Sequence, residues 1–106
     1  TFPAQRTRLM TNDSRLLTSL SLHITGKVQG VYYRQSTRKK ALSLGLSGYV
    51  KNLPDGAVYI LATGHQEQLE EIIAWCKIGP PAALVRDVIV KEMDVENFEG
   101  FEIRRG

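Results

Sequence analysis

Ser19-Leu20-Ser21-Leu22-His23-Ile24-Thr25-Gly26-Lys27-Val28-Gln29-Gly30-Val31-Tyr32-Tyr33-Arg34 changes its hydrophobic period partway along. Up to Thr25, leucine and isoleucine alternate with serine, histidine and threonine, as in a strand with one buried face. Beyond Gly30, Tyr33, Thr37, Ala41 and Leu44 recur at helical spacing, which predicts a helix with one buried stripe. A strand that passes through a glycine-bracketed loop directly into a helix predicts an α+β domain.

The rest of the chain extends that pattern. Gly45 stops the helix, Leu46 to Asn52 reads as a short strand, and Pro54-Asp55-Gly56 is turn chemistry, with Val58, Ile60 and Ala62 on the returning strand. Leu69, Ile72, Ile73 and Cys76 form a second helical stripe that ends at Gly79-Pro80-Pro81. Val85 to Met93 and Gly100 to Arg104 supply the last strands, and Arg86-Asp87 breaks the alternation as a bulge would. The order strand, helix, strand, strand, helix, strand is the split βαβ arrangement of the ferredoxin-like fold. The predicted architecture is a two-layer α/β sandwich, with an antiparallel sheet, both helices on one face and the other face largely wet.

With 106 residues, 42% hydrophobic and 24% charged, the chain has the length and composition of one globular domain, which excludes disordered and fibrous classes. Apolar runs such as Ala57 to Ala62 fall far short of the roughly 20 residues that cross a bilayer as a helix. The single cysteine, Cys76, has no partner for an internal disulfide, which fits a reducing compartment and leads us to expect a cytoplasmic protein. The net charge is +3, but Arg6, Arg8 and Arg15 against Asp13 account for much of it, leaving 11 cations and 10 anions in residues 19–106. Residues 1–18 read as a flexible leader without the apolar core of a signal peptide, Met10 offers an internal start, and residues 19–106 read as the domain. Arg34, Arg38, Lys39 and Lys40 cluster while acids fill the last fifth, so one end of the domain is expected to attract anions.

Two segments carry candidate chemistry. The loop from Gly26 to Tyr33 enters a helix N-terminus, where unpaired N–H groups and the helix dipole suit a phosphate-sized anion, and Arg34 offers a guanidinium fork to two phosphate oxygens. The same residues also read as a tight turn with a surface arginine, and spacing alone leaves both readings open. Neither GxxxxGK[ST] nor GxGxxG is present. Asn52, where the second strand enters its turn, reads equally as a structural turn residue or as a carboxamide that orients a neutral water. Cys76, at a helical core position, reads as a small buried hydrophobe, and His23, His65 and Cys76 show no metal-ligand spacing.

Ile24 to Arg34 and Gly48 to Gly56 together resemble, in order, the two signatures of the acylphosphatase family, and the likeness spans about residues 20 to 104. It implies hydrolysis of the carboxyl-phosphate bond of acyl phosphates by direct water attack, with carboxylate and inorganic phosphate as products. By resemblance, Arg34 and the amides of Gln29, Gly30, Val31, Tyr32 and Tyr33 bind the substrate phosphate, and Asn52 positions the attacking water. No metal or organic cofactor is implied. The family usually has phenylalanine where this chain has Tyr33, so a phenol there needs a hydrogen-bond partner or water.

Two rival readings come from other classes. RNA-recognition domains share the element order but stack bases on aromatics of their first and third strands, whereas here the first strand has none and the third only Tyr59. A non-catalytic domain of the same fold, binding acyl phosphates or a protein, is opposed by the presence of both Arg34 and Asn52. The expected partners are therefore a small acyl phosphate and phosphate, with no nucleic acid and no membrane, on a monomer.

Overall fold

A computed structural model describes residues 16–105. Most of the expected leader, residues 1–15, lies outside the described residues. The elements are β1 (Thr18–Lys27), α1 (Tyr33–Leu44), β2 (Ser47–Asn52), β3 (Val58–Gly64), α2 (Gln66–Ile78), β4 (Leu84–Met93) and β5 (Phe101–Arg104). They form one five-stranded sheet in the order β4-β1-β3-β2-β5.

The two periods deliver the core as expected. Leu20, Leu22 and Ile24 of β1 and Val58, Ile60 and Ala62 of β3 are buried together with Ala41 of α1 and Leu69, Ile72 and Cys76 of α2. Leu44 and Ile73 pack at the margin of that cluster. Each buried leucine or isoleucine contributes about 1.5–3 kcal/mol relative to exposure, so the sheet–helix interface dominates the stability of the domain.

The bulge falls where alternation failed. Thr25 pairs with Asp87 and Gly26 with Val85, so Arg86 is the extra residue on β4. Gly26 allows this crossing: its φ is 122°, and a Cβ there would lie 2.2 Å from the Leu84 carbonyl oxygen. The bulge bends the end of β1 and sets the direction in which the following loop leaves the sheet.

Two features differ from the sequence expectation. The sheet is mixed rather than wholly antiparallel, because β5 runs parallel to β2, with Gly48 opposite Phe101 and Lys51 opposite Arg104. β4 and β5 occupy opposite edges of the sheet, so the connection between them must cross its full width, and that crossing fixes the direction of β5. The open face is also less wet than expected. Ser19 Oγ and Thr63 Oγ1 are 2.6 Å apart, Thr63 Oγ1 donates to the Glu96 carbonyl at 2.7 Å, and the Glu96 amide donates to Ser19 Oγ at 2.9 Å. This small cycle pins the crossing segment to the sheet, which explains why two hydroxyl side chains on a nominally exposed face are fully buried.

Candidate active site

The loop between β1 and α1 is anchored by Val28 and Val31, both buried in the core. Between and after them, Gly30 and Tyr32 take left-handed backbone at φ 78° and 63°. Glycine adopts this conformation without steric cost. Tyr32 does not, and it is the one non-glycine residue with positive φ among the described residues. An L residue held there costs on the order of 1–2 kcal/mol, strain of the kind that gathers at functional sites. The two bends bring the chain abruptly into α1 at Tyr33.

Tyr33 is the helical residue that fixes the start of α1. Its ring is fully buried, 5.5 Å from the Trp75 ring between centroids, and its hydroxyl donates to the Cys76 carbonyl at 2.7 Å. That carbonyl belongs to the last turn of α2, and the residue four positions on, Pro80, has no N–H to offer it. The phenol expected to need a hydrogen-bond partner thus has one, and burial, reinforced by Cys76, pushes its pKa well above the ordinary tyrosine value. Burial likewise pushes the Cys76 thiol up to about 12, as befits an inert core sulfur.

Arg34 lies in the first turn of α1, which contains no acidic residue. Among the described residues it forms no ion pair: the close contacts of opposite type there are Arg104 with Glu102 and His23 with Asp55. Asn52 is the last residue of β2, and its side-chain oxygen is buried without a hydrogen-bond partner among the described residues, a state shared only by the hydroxyls of Thr25 and Thr37. An unsatisfied buried acceptor costs about 1–3 kcal/mol. Arg34 and Asn52, far apart in sequence, line one pocket of about 590 Å³, together with Gly30, Tyr32 and Tyr33. The pocket therefore joins a cation, a helix N-terminus and an acceptor-donor carboxamide, with no carboxylate among its lining residues.

Gln29 and Val31 are not on the pocket wall. Val31 is a core residue. Gln29 uses its carboxamide elsewhere: Nε2 donates to the carbonyls of Leu53 and Ala57, each at 2.8 Å. These carbonyls already close the turn after Asn52, accepting from the Gly56 and Leu53 amides respectively. Asp55 Oδ1 accepts from the Ala57 amide at 2.9 Å, and Asp55 Oδ2 lies 3.4 Å from His23 Nε2. The turn that presents Asn52 is thus held from three sides.

Sequence reasoning missed Ile103 and Arg105, which also line the pocket. They arrive through the parallel pairing of β5 with β2, and no local pattern signals that. Among the described residues no three His, Cys, Asp or Glu side chains converge to hold a metal ion.

Fold and pocket define a class: a two-layer α+β sandwich whose first strand-to-helix loop, with an arginine in the first helical turn, shares a pocket with a carboxamide from the second strand. The model of the acylphosphatase family matches residues 20–103. An acylphosphatase of Archaeoglobus fulgidus is 49% identical over 85 residues, covering 80% of this chain and 96% of that protein. An acylphosphatase of Acaryochloris marina is 56% identical over 82 residues, covering 77% of this chain and 88% of the relative. The solved structure of an acylphosphatase from Coxiella burnetii superposes with a TM-score of 0.83 at 40% identity, over 90% of this chain and all of that one. The chain belongs to the acylphosphatase family.

Proposed function

We propose that in this acylphosphatase Arg34 and the amides of the pocket-lining loop residues Gly30, Tyr32 and Tyr33 hold the phosphoryl group of the substrate, while Asn52 orients the attacking water. The protein hydrolyses the carboxyl-phosphate bond of acyl phosphates. The observation that carries the assignment is the shared pocket: an arginine without an ion pair among the described residues and a carboxamide with an unengaged buried oxygen meet there. The guanidinium fork matches two phosphoryl oxygens, and the α1 N-terminus adds fixed positive potential. By turning about its last side-chain bond, the Asn52 carboxamide can offer its oxygen, unengaged among the described residues, to the water and its NH2 group to a phosphoryl oxygen.

The reaction is a single in-line displacement. The water oxygen bonds to phosphorus as the bond from phosphorus to the carboxyl oxygen breaks, and the electron pair leaves with the carboxylate. The water's proton passes to a phosphate oxygen, so products are a carboxylate and inorganic phosphate. A carboxylate leaves readily, and what the protein supplies is orientation and charge stabilisation. No covalent enzyme intermediate is required.

The working unit in this reading is residues 19–106 acting as a monomer in the cytoplasm, in keeping with its size and its single buried thiol. No helix among the described residues is long and apolar enough to cross a membrane. Small acyl phosphates rather than nucleic acid are its partners in this reading, because β1 carries no aromatic side chain on which a base could stack and β3 carries only Tyr59.

The two roles separate experimentally. Arg34→Ala is expected to abolish measurable competition by inorganic phosphate along with turnover, and Asn52→Ala to lower kcat by about a hundredfold or more with phosphate affinity retained. Wild-type phosphate affinity in the arginine variant, or unchanged kcat in the asparagine variant, contradicts the corresponding role.

A further inference from the structure

A second concavity of about 480 Å³ adjoins the pocket, lined by Gln35, Arg38, Lys39, Leu42 and Ile103. Gln35 and Ile103 line both spaces, so the two adjoin across these side chains and together make a groove, divided there, that follows the solvent side of α1 from Arg34. Its floor is apolar: Leu42 is 44% exposed and Ile103 37% exposed. One of its cations is held in place, because Arg38 Nε donates to the Phe101 carbonyl of β5 at 2.9 Å. That bond ties the guanidinium to the strand carrying Ile103 and leaves its two terminal amino groups for another acceptor. Neither Arg38 nor Lys39 forms an ion pair among the described residues, and no acidic side chain lines either part of the groove.

A phosphoryl group bound at Arg34 occupies only one end of this groove. Volumes of this size are typical of sites that enclose a whole small ligand. We propose that the groove receives the acyl portion of the substrate and favours acyl phosphates whose acyl chain ends in a second oxyanion, a carboxylate or a phosphate. The chain lies over Ile103 and Leu42, and the terminal oxyanion meets Arg38 and Lys39. This rests on the reading that Arg34 holds the carboxyl phosphate. The geometry supplies two cations at one end, an apolar stretch and two cations further along α1, which matches a small molecule charged at both ends. Exposed pairs are individually weak, so the groove is expected to give modest selectivity rather than an absolute requirement.

The test compares kcat/KM for four acyl phosphates: succinyl monophosphate, 4-phosphonobutyryl phosphate, uncharged butyryl phosphate and benzoyl phosphate. The wild type is set beside Lys39→Glu and Lys40→Glu, two variants with the same change in net charge, of which only the first alters a groove residue. In Lys39→Glu the preference for a charged-tail substrate over butyryl phosphate should fall about tenfold, with benzoyl phosphate hydrolysis unchanged. Loss confined to succinyl monophosphate assigns a carboxylate, and loss confined to the phosphonate assigns a phosphate. An unchanged preference in Lys39→Glu, or an equal fall in Lys40→Glu, overturns the subsite while leaving the acylphosphatase reading intact. Absence of wild-type benzoyl phosphate turnover overturns that underlying reading and the subsite with it.

Discussion

The Gln29 carboxamide nitrogen lies 2.8 Å from the Leu53 carbonyl oxygen. Leu53 directly follows Asn52, so a residue of the loop between β1 and α1 holds the backbone next to the carboxamide proposed to orient the water. With the second bond to Ala57, one side chain fixes the distance between the two halves of the site. In-line displacement tolerates little error in that distance, since misplacement of about 1 Å can cost a hundredfold in rate.

Gln29→Ala is therefore expected to lower kcat about tenfold while leaving inhibition by inorganic phosphate near the wild-type level. Because Gln29 acts through Asn52, adding Gln29→Ala to Asn52→Ala should cost little more. Independent, fully additive losses in a double-mutant cycle would show that Gln29 does not work through the asparagine.

Tyr33→Phe keeps the buried ring but leaves the Cys76 carbonyl without the hydroxyl. The expected cost is about 1–2 kcal/mol, a fall in Tm of several degrees for a domain of this size, with kcat and KM preserved. A variant as stable as wild type in calorimetry would mean that water satisfies that carbonyl equally well.

Stability should also fall at alkaline pH. Burial raises the pKa of Cys76 from 9.0 to about 12, so the unfolded thiol ionises first while the folded one keeps its proton. Above pH 9 the unfolded state binds fewer protons than the native state, and the unfolding free energy declines until the folded thiol titrates. Tyr33, whose pKa is also raised from 10.0, adds to the slope above pH 10. In denaturant titrations, Cys76→Ala should flatten the decline that begins near pH 9. An equally steep decline in that variant would assign the effect to other groups.

Gly30 permits a probe that acts on the pocket without a clash. A Cβ there meets nothing within 4 Å, although its φ is +78°. Gly30→Ala should lose about 1 kcal/mol to backbone strain and, because Gly30 lines the pocket, weaken phosphate binding by reducing the space beside Arg34. Unaltered phosphate affinity in this variant would move the phosphoryl site away from the loop.

Much of this architecture is legible in the chain itself. The change of period after Thr25 marks β1 and α1, the interrupted alternation at Arg86-Asp87 marks the bulge, and both arise from local geometry that repeats along the sequence. Arg34 and Asn52, which the fold brings to one pocket, are readable as candidates through two motifs long enough to be specific. What escaped was set by contacts with no period. The parallel entry of β5 depends on a crossing segment clasped by Ser19 and Thr63. Ile103 and Arg105 reach the pocket only because of that entry, and the Gln29 bonds span more than twenty residues. The pairing of His23 with Asp55 joins a strand to a turn on grounds of tertiary proximity alone.

Steady-state hydrolysis of benzoyl phosphate by the wild-type protein, in the presence and absence of a metal chelator and with Arg34→Ala as control, tests the central claim most directly. The account predicts turnover that survives the chelator and vanishes with the arginine. A folded wild-type protein that leaves benzoyl phosphate intact, or turnover that persists in Arg34→Ala, would contradict it.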